Sequence, residues 1–363
     1  MIKESCFSKE WLGSFKKQSA HKKIDTAILE RMIFAFHLLE KLKASGLNFV
    51  FKGGTSLVLL LDHGNRFSID IDIICREDRD ILEQKLNRVI ENSRFNSFSL
   101  DERRSYQAGV PKAHYSFHYD SVLSDSTAKI LLDVLIEDSI YPDHVEKAIQ
   151  TKWIEVDEEM KIKLPSIDSI TGDKLTAFAP DTIGIPYFKG TQSFAMEICK
   201  QLYDLSRLFE RINQIEIVSK SFYAFAAKEI EYRRTGTSST ITPEIALQDT
   251  ISTCLLLAKR GRETKDSWKF QELQKGLTAF GTGFLMNGIF RIEEAISAAG
   301  RVAYLAAKIL KNDMSRMSFY NNQDIKELNI EDREWNFLNA LKRQPDKSTF
   351  YYWYQVVQLL KNS

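Results

Sequence analysis

The feature that most constrains the fold is Ile69-Asp70-Ile71-Asp72-Ile73, where apolar and acidic residues alternate strictly. Successive side chains leave a β-strand on opposite faces, so this period predicts a strand over residues 69–75 with isoleucines on one face and both aspartates on the other. Asp70 and Asp72 then sit a few ångströms apart and repel unless a proton or cation intervenes. Magnesium suits the pair, because it takes one or two carboxylates and completes its shell with water and phosphate oxygens. Alternation alone also describes an ordinary half-solvated strand, so the neighbours decide.

Upstream, a short apolar strand at residues 48–51 runs into Lys52-Gly53-Gly54-Thr55, and residues 56–61 turn helical, ending near Gly64. The amides of Gly54, Thr55 and Ser56 at a helix start can face triphosphate oxygens, aided by the helix dipole. Downstream, Asp133 interrupts an apolar strand at residues 129–136. An unpaired charge there would cost several kcal/mol, so it needs a partner. If its strand pairs beside residues 69–75, a third carboxylate joins the first two. That set is the clamp of a two-metal phosphoryl or nucleotidyl transfer. The competing readings are an ordinary Gly-Gly turn and an acid that pairs with a lysine. Lys52 and Arg66 either steer the triphosphate or are surface charge, and Ser68 can be a strand-start hydroxyl bonded to local backbone.

With 363 residues there is room for two domains. Residues 26–45 carry a helical apolar period, with Asp25 as N-cap and Gly46 as stop. A helix is predicted over 78–89 and strands over 97–103 and 113–119. After Leu164 the alternation gives way to long helical patterns through Gln201, Phe222, Leu255, Ala303 and Val356. Residues 235–240 read as a loop, and Thr242-Pro243-Glu244 opens the next helix. The expected class is α+β: an N-terminal mixed β-sheet domain flanked by helices (1–163) and a helical C-terminal domain (164–363).

Hydrophobic residues at 44% and charged residues at 27% exclude a disordered chain, and a net charge of +1 excludes binding of nucleic acid by bulk charge while leaving room for a local basic groove. Cys6, Cys75, Cys199 and Cys254 lie far apart, which suggests buried reduced thiols and no zinc knuckle. No apolar run is long enough to span a membrane and the N-terminus lacks an apolar leader, so a cytoplasmic protein is expected. The histidines, His21, His37, His63, His114, His118 and His144, show no paired metal spacing. His114 and His118 fall on one strand face in an expected surface role, and His63 alone lies near the glycine turn. The aromatic run at residues 350–354, after Lys342, Arg343 and Lys347, either stacks on RNA or forms helix core. Arg233-Arg234 and Lys259-Arg260 are likewise nucleic-acid contacts or solvated helix faces.

Phe51-Lys52-Gly53-Gly54-Thr55-Ser56-Leu57 and Arg66-Phe67-Ser68-Ile69-Asp70-Ile71-Asp72 resemble the AbiEii/AbiGii toxin family, which includes the MenT toxins, within the minimal polymerase-β-like nucleotidyltransferases. Asp173-Lys174-Leu175-Thr176-Ala177-Phe178 and Lys200-Gln201-Leu202-Tyr203-Asp204-Leu205 look like its later lysine and aspartate motifs. The resemblance covers residues 48–207 and implies functional roles for Ser68, Asp70, Lys174 and Asp204. From the residues themselves, Lys174 shares a helical stripe with Ile167, Ile170 and Ala177, so its ammonium either crosses a cleft to phosphate or snorkels to water. Asp204 stands four residues after Lys200, the spacing of a surface ion pair.

The resemblance implies a nucleotidyltransferase dependent on Mg2+ or Mn2+, with the metal on Asp70, Asp72 and Asp133 and with Lys174 and Asp204 completing the catalytic set. A nucleoside triphosphate would lie on Gly53, Gly54, Thr55 and Ser56, near Lys52, Arg66 and Ser68. It further implies the toxin of a toxin–antitoxin or abortive-infection system, with an antitoxin partner and an RNA acceptor such as the tRNA 3′ end. Transfer to a protein hydroxyl and a catalytically silent nucleotide- or antitoxin-binding module are the alternatives.

Overall fold

The acid-bearing strand lies in the middle of a seven-stranded mixed sheet. In the computed structural model, residues 1–17, 25–61, 66–105, 111–233, 240–262, 265–285 and 289–361 are described. They form two compact units: unit 1 comprises Met1–Ile140, His144–Ser166 and Phe284–Gly288, and unit 2 comprises Tyr141–Asp143, Ile167–Gly283 and Ile289–Ser363. His21, His63, Gly64, Arg234 and residues 235–239 of the expected loop lie outside the described residues.

In unit 1, β1 (Val50–Lys52), β2 (Ile71–Ile74), β3 (Ser97–Leu100), β4 (Lys112–Asp120), β5 (Thr127–Leu135), β6 (His144–Ala148) and β7 (Lys161–Pro165) assemble in the order β3-β4-β5-β2-β1-β7-β6. The β2–β5 and β1–β7 pairs are parallel and the others antiparallel. The helices of this unit are α1 (Lys9–Lys16), α2 (Thr26–Ala44), α3 (Gly53–Leu60), α4 (Arg79–Glu91) and α5 (Glu102–Ser105).

One face of the sheet is core. Ile130, Leu132 and Val134 of β5 and Ala113, Tyr115, Phe117 and Tyr119 of β4 are buried, as alternation requires. Against them lies α2, whose Phe34 stacks on Tyr119 with ring centroids 3.6 Å apart. Each such side chain contributes roughly 1.5–3 kcal/mol by leaving water. Because α2 is buried on nearly every side, its acids need partners. Glu30 accepts from Val122 N at 2.7 Å and from Ser121 Oγ at 2.8 Å, and Glu40 accepts from Ile2 N at 2.8 Å. Asp25 accepts from Ala27 N as the cap of α2, and Gly46 ends it at φ +81°.

Several boundaries differ from the sequence reading. β2 starts at Ile71 and so excludes Asp70, and α3 begins at Gly53 itself. Residues 102–105 coil into α5 where the strand was expected to continue to 103, because Ser105 donates back to the Asp101 carbonyl oxygen at 2.7 Å and Asp101 Oδ1 accepts from Arg104 N at 3.3 Å. The β6–β7 hairpin was not anticipated: His-Val-Glu-Lys-Ala is charged and forms the sheet's edge, where one side stays in water.

Unit 2 is predominantly helical, with α6 (Ile167–Ala177), a small β8 (Phe188–Lys189) and β9 (Gln192–Ser193) hairpin, then α7 (Ala195–Phe209), α8 (Ile215–Arg233), α9 (Pro243–Ala258), α10 (Ser267–Gly283), α11 (Ile292–Leu310) and α12 (Ser348–Lys361). The close approach of α6 and α8 requires Gly172, where a Cβ would lie 2.5 Å from the Val218 carbonyl oxygen. Thr242 caps α9 with Pro243 in its first turn. Phe350, Tyr351, Tyr352 and Trp353 of α12 are buried against α11, so this aromatic run is helix core. Arg233 donates to the carbonyl oxygens of Thr182, Ile183 and Gly184, and Arg260 pairs with Glu293, so both serve internal contacts.

Candidate active site

On the sheet face opposite α2, strand register aligns four ionisable residues. Lys52 of β1 stands opposite Asp72 of β2, Asp72 beside Asp133 of β5, and Asp133 opposite His114 of β4. In-register partners project to the same side, so the row crosses four strands at one level. The Asp133 carboxylate lies 2.6 Å from His114 Nδ1 through Oδ1 and 3.5 Å from Arg104 Nη2 of α5 through Oδ2. Asp133 keeps 30% of its side chain exposed, enough to meet a ligand from solvent. Asp70, just before β2, is exposed.

The glycine turn packs directly on this row. Gly53 has φ +77°, and a Cβ there would lie 2.0 Å from Asp72 Oδ2, so both backbone conformation and space exclude a side chain. At Gly54 a Cβ would meet Arg66 Nη2 at 2.5 Å and Ser68 Oγ at 3.0 Å. Arg66 is buried and donates to the Phe67 carbonyl oxygen at 3.1 Å. The Thr55 hydroxyl donates to the Asp70 carbonyl oxygen at 2.6 Å and lies 2.9 Å from Ser68 Oγ. Ser56 Oγ donates to the Gly53 carbonyl oxygen at 2.8 Å. Thr55 and Ser56 are both fully buried. The Thr55 hydroxyl therefore fastens α3 to the acid-bearing segment and the Ser56 hydroxyl closes back on the first residue of α3, which leaves backbone amides as the groups this turn can offer a phosphate. Lys52 contributes no side-chain cap to α3.

Among the described residues, no three His, Cys, Asp or Glu side chains converge as a group able to hold a metal. The Asp133 carboxylate is instead engaged by His114 and Arg104. Asp72 of β2 and the exposed Asp70 just before it supply hard oxygen donors two residues apart, a chemistry that fits a cation drawing its remaining ligands from water and phosphate.

The two later motif residues meet inside unit 2. Lys174 Nζ donates to Asp204 Oδ2 at 2.8 Å and to Gln201 Oε1 at 3.1 Å. The lysine side chain is 7% exposed and the aspartate 2%. The structure thus joins Lys174 to a carboxylate within its own unit, neither crossing open space nor snorkelling to water, and it buries Asp204 where the spacing to Lys200 suggested a surface pair. The neighbouring Asp173 accepts from the Tyr141 hydroxyl.

Sequence reasoning missed His114 and Arg104. The signal for His114 was available, since an antiparallel hairpin closed over residues 121–126 sets residues equidistant from the turn opposite each other, and His114 falls on Asp133.

This fold and these motifs are those of a nucleotidyltransferase. The chain belongs to the AbiEii family: the profile described as "Nucleotidyl transferase AbiEii toxin, Type IV TA system" matches residues 37–285. Membership in a toxin–antitoxin family implies an antitoxin partner. None of the curated proteins compared with the chain matches it. Among solved structures, JHP933 from Helicobacter pylori aligns with 78% of this chain and 93% of its own length at 16% identity and a TM-score of 0.42. A candidate nucleotidyltransferase from H. pylori aligns with 78% and 96% at 17% identity and a TM-score of 0.40. At these scores the two likenesses carry no argument, and the assignment rests on the family profile. No helix among the described residues is long and apolar enough to cross a membrane.

Proposed function

We propose that the chain transfers a nucleotide from a nucleoside triphosphate to an RNA acceptor, the tRNA 3′ end being the specific candidate, and that this modification is its toxic act. The observation that supports the reading is the strand register that sets Asp72 beside Asp133 with Gly53 packed on the Asp72 carboxylate. In the proposed reaction the acceptor hydroxyl oxygen bonds to the α-phosphorus, the bond from that phosphorus to the bridging oxygen breaks, and pyrophosphate leaves. The α3 amides bind triphosphate oxygens, with Lys52, Arg66 and Ser68 around them. A divalent cation, Mg2+ or Mn2+, on Asp70 and Asp72 with Asp133 would supply charge neutralisation at the phosphate oxygens.

His114 and Arg104 position the Asp133 carboxylate beside the row. Lys174 neutralises phosphate charge, while Asp204 orients the acceptor hydroxyl and takes its proton. Each of these last two roles requires the 2.8 Å bond between Lys174 and Asp204 to open when substrate arrives.

The test is incubation of the full chain with each of the four labelled triphosphates, Mg2+ and total tRNA, beside Asp70→Ala. Label in RNA with wild type, reduced at least about 10²-fold in the variant, is the expected result. Label confined to protein when lysate replaces tRNA would move the acceptor to a protein hydroxyl. Toxicity and transfer untouched by Asp70→Ala would leave a silent binding module.

A further inference from the structure

A cavity of about 440 Å3 opens in unit 1 between Val58 and Leu59 of α3 and the stretch running from Lys147 of β6 to Trp153. Among the described residues its charged lining is cationic: Lys147 and Lys152 face it together with Gln150 and Thr151. The Lys152 ammonium lies 4.6 Å from the centroid of the buried Trp153 ring, a cation–π contact that holds the head group over the indole. Partial desolvation by the surrounding chain lowers the Lys152 pKa while the residue stays exposed.

Elsewhere the chain treats sheltered lysines differently. Lys85 meets Glu77 at 2.6 Å, Lys308 meets Asp313 at 2.7 Å, and Lys174 meets Asp204 at 2.8 Å. Among the described residues, neither Lys147 nor Lys152 has a carboxylate within ion-pair distance. Two cations at one concavity, with no carboxylate partner among the described residues, repel each other, and an anion from outside relieves that cost.

We propose that this cavity binds two adjacent backbone phosphates of the acceptor RNA, with Lys147 and Lys152 as their counter-charges and Gln150 and Thr151 as neutral hydrogen-bonding groups. The inference rests on the RNA-acceptor reading above. Two lysines match two singly charged phosphodiesters, whereas a triphosphate carries more charge than they balance. Position fits as well. Val58 is five residues beyond Gly53 on α3, roughly 7–8 Å along the axis at the helical rise, so a strand held here runs beside the end of the helix that meets Asp72. The cavity would thus grip the acceptor upstream of its reacting end.

The experiment measures binding of a short fluorescein-labelled single-stranded RNA to the full chain by anisotropy at several salt concentrations, for wild type, Lys147→Gln/Lys152→Gln and Lys152→Arg. The double variant is expected to bind about tenfold more weakly at low salt. Its log–log salt dependence should be shallower by about 1–1.5, as loss of two contacts to single-stranded phosphates requires. Lys152→Arg, which keeps the charge, should stay within about threefold of wild type, so an arginine variant as weak as the double glutamine variant would make the effect one of packing and overturn the proposal. In transfer assays the double variant should raise KM for RNA and leave kcat unchanged.

Wild-type affinity and salt slope in a double variant that melts like wild type would also overturn it. Should the double variant lose thermal stability, Lys147→Gln alone carries the test, with half the slope change expected and an unchanged slope counting against the site. Retained RNA affinity with lost ATP affinity would assign the cavity to free nucleotide and reject the RNA source. A wild-type chain that binds no RNA at any salt sinks the acceptor reading itself, whereas RNA binding indifferent to the lysines sinks only the cavity.

Discussion

Lysine and aspartate meet in both units of this chain, to opposite effect. In unit 1, Lys52, Asp72 and Asp133 line up across the polar face of a sheet, with Asp133 still 30% exposed. In unit 2, Lys174 and Asp204 close on each other with 7% and 2% of their side chains exposed. A charge left half in water is available to a ligand at little cost to the fold. A charge taken wholly from water must be matched internally, and removal of either partner then leaves the other stranded. The same residue types are therefore proposed to serve ligand chemistry in the first unit, whereas in the second they bear on stability unless substrate opens the buried pair.

The sharpest way to break this contrast is to truncate one acid in each unit. Asp72→Ala should lower nucleotide transfer by about 10³-fold while shifting the unfolding free energy by no more than about 1 kcal/mol, measured by single-turnover transfer and urea denaturation. Lys174→Ala should act on stability in the same denaturation experiment, costing about 3–5 kcal/mol because the buried Asp204 carboxylate loses the cation 2.8 Å from it. Lys174→Met combined with Asp204→Leu should recover most of that loss. A Lys174→Ala protein as stable as wild type would show that the pair is not sealed in solution.

A smaller effect sharpens the account of unit 2. Asp249 is buried, and its Oδ2 accepts from Asp181 N and from Thr182 Oγ1, both at 2.8 Å. Burial outweighs these bonds and lifts its pKa to about 6. The folded chain therefore holds this proton more tightly than the unfolded chain, whose aspartates titrate near about 3.9, so stability falls as pH rises between those two values. By pH 7 the loss is about 3 kcal/mol. Asp249→Asn, which keeps an acceptor oxygen, should flatten that part of the stability profile from pH 4 to 7, and parallel profiles for the two proteins would rule the effect out.

The smallest change concerns the orientation of Asp133. His114→Ala removes the 2.6 Å partner of its Oδ1 and leaves Arg104 at 3.5 Å. Transfer should fall about tenfold with stability nearly unchanged, in line with loss of a group that orients a functional carboxylate. A variant with full activity would place Asp133 outside the chemistry.

Much of unit 1 was legible because its signals are local. The isoleucine–aspartate alternation fixed which side of β2 is core, and Gly53-Gly54 marked the turn into α3. Even the His114–Asp133 pairing follows from hairpin symmetry once β4 and β5 are placed, since antiparallel register is set by the turn. The edge hairpin of β6 and β7 was harder: Lys161-Ile162-Lys163-Leu164 does alternate, but β6 is a charged edge strand with little apolar signal.

In unit 2 the helical periods were read, whereas the fate of single charges within them was not. Lys174 and Asp204 are separated by a helix end, a loop with a small hairpin and half of another helix, and only packing of α6 on α7 brings them to 2.8 Å. The aromatic run of α12 had two meanings in sequence, and burial against α11 chose core.

By itself the sequence determined the strand–turn–helix and acid-bearing strand of unit 1, the faces of its strands β2, β4 and β5, and the family to which the chain belongs, because those depend on residue spacing along one strand or turn. Tertiary structure alone decided which charges are satisfied within the protein and which stay open to ligand. That outcome depends on how much water each group loses and on which distant segment faces it, and neither quantity is encoded in local spacing.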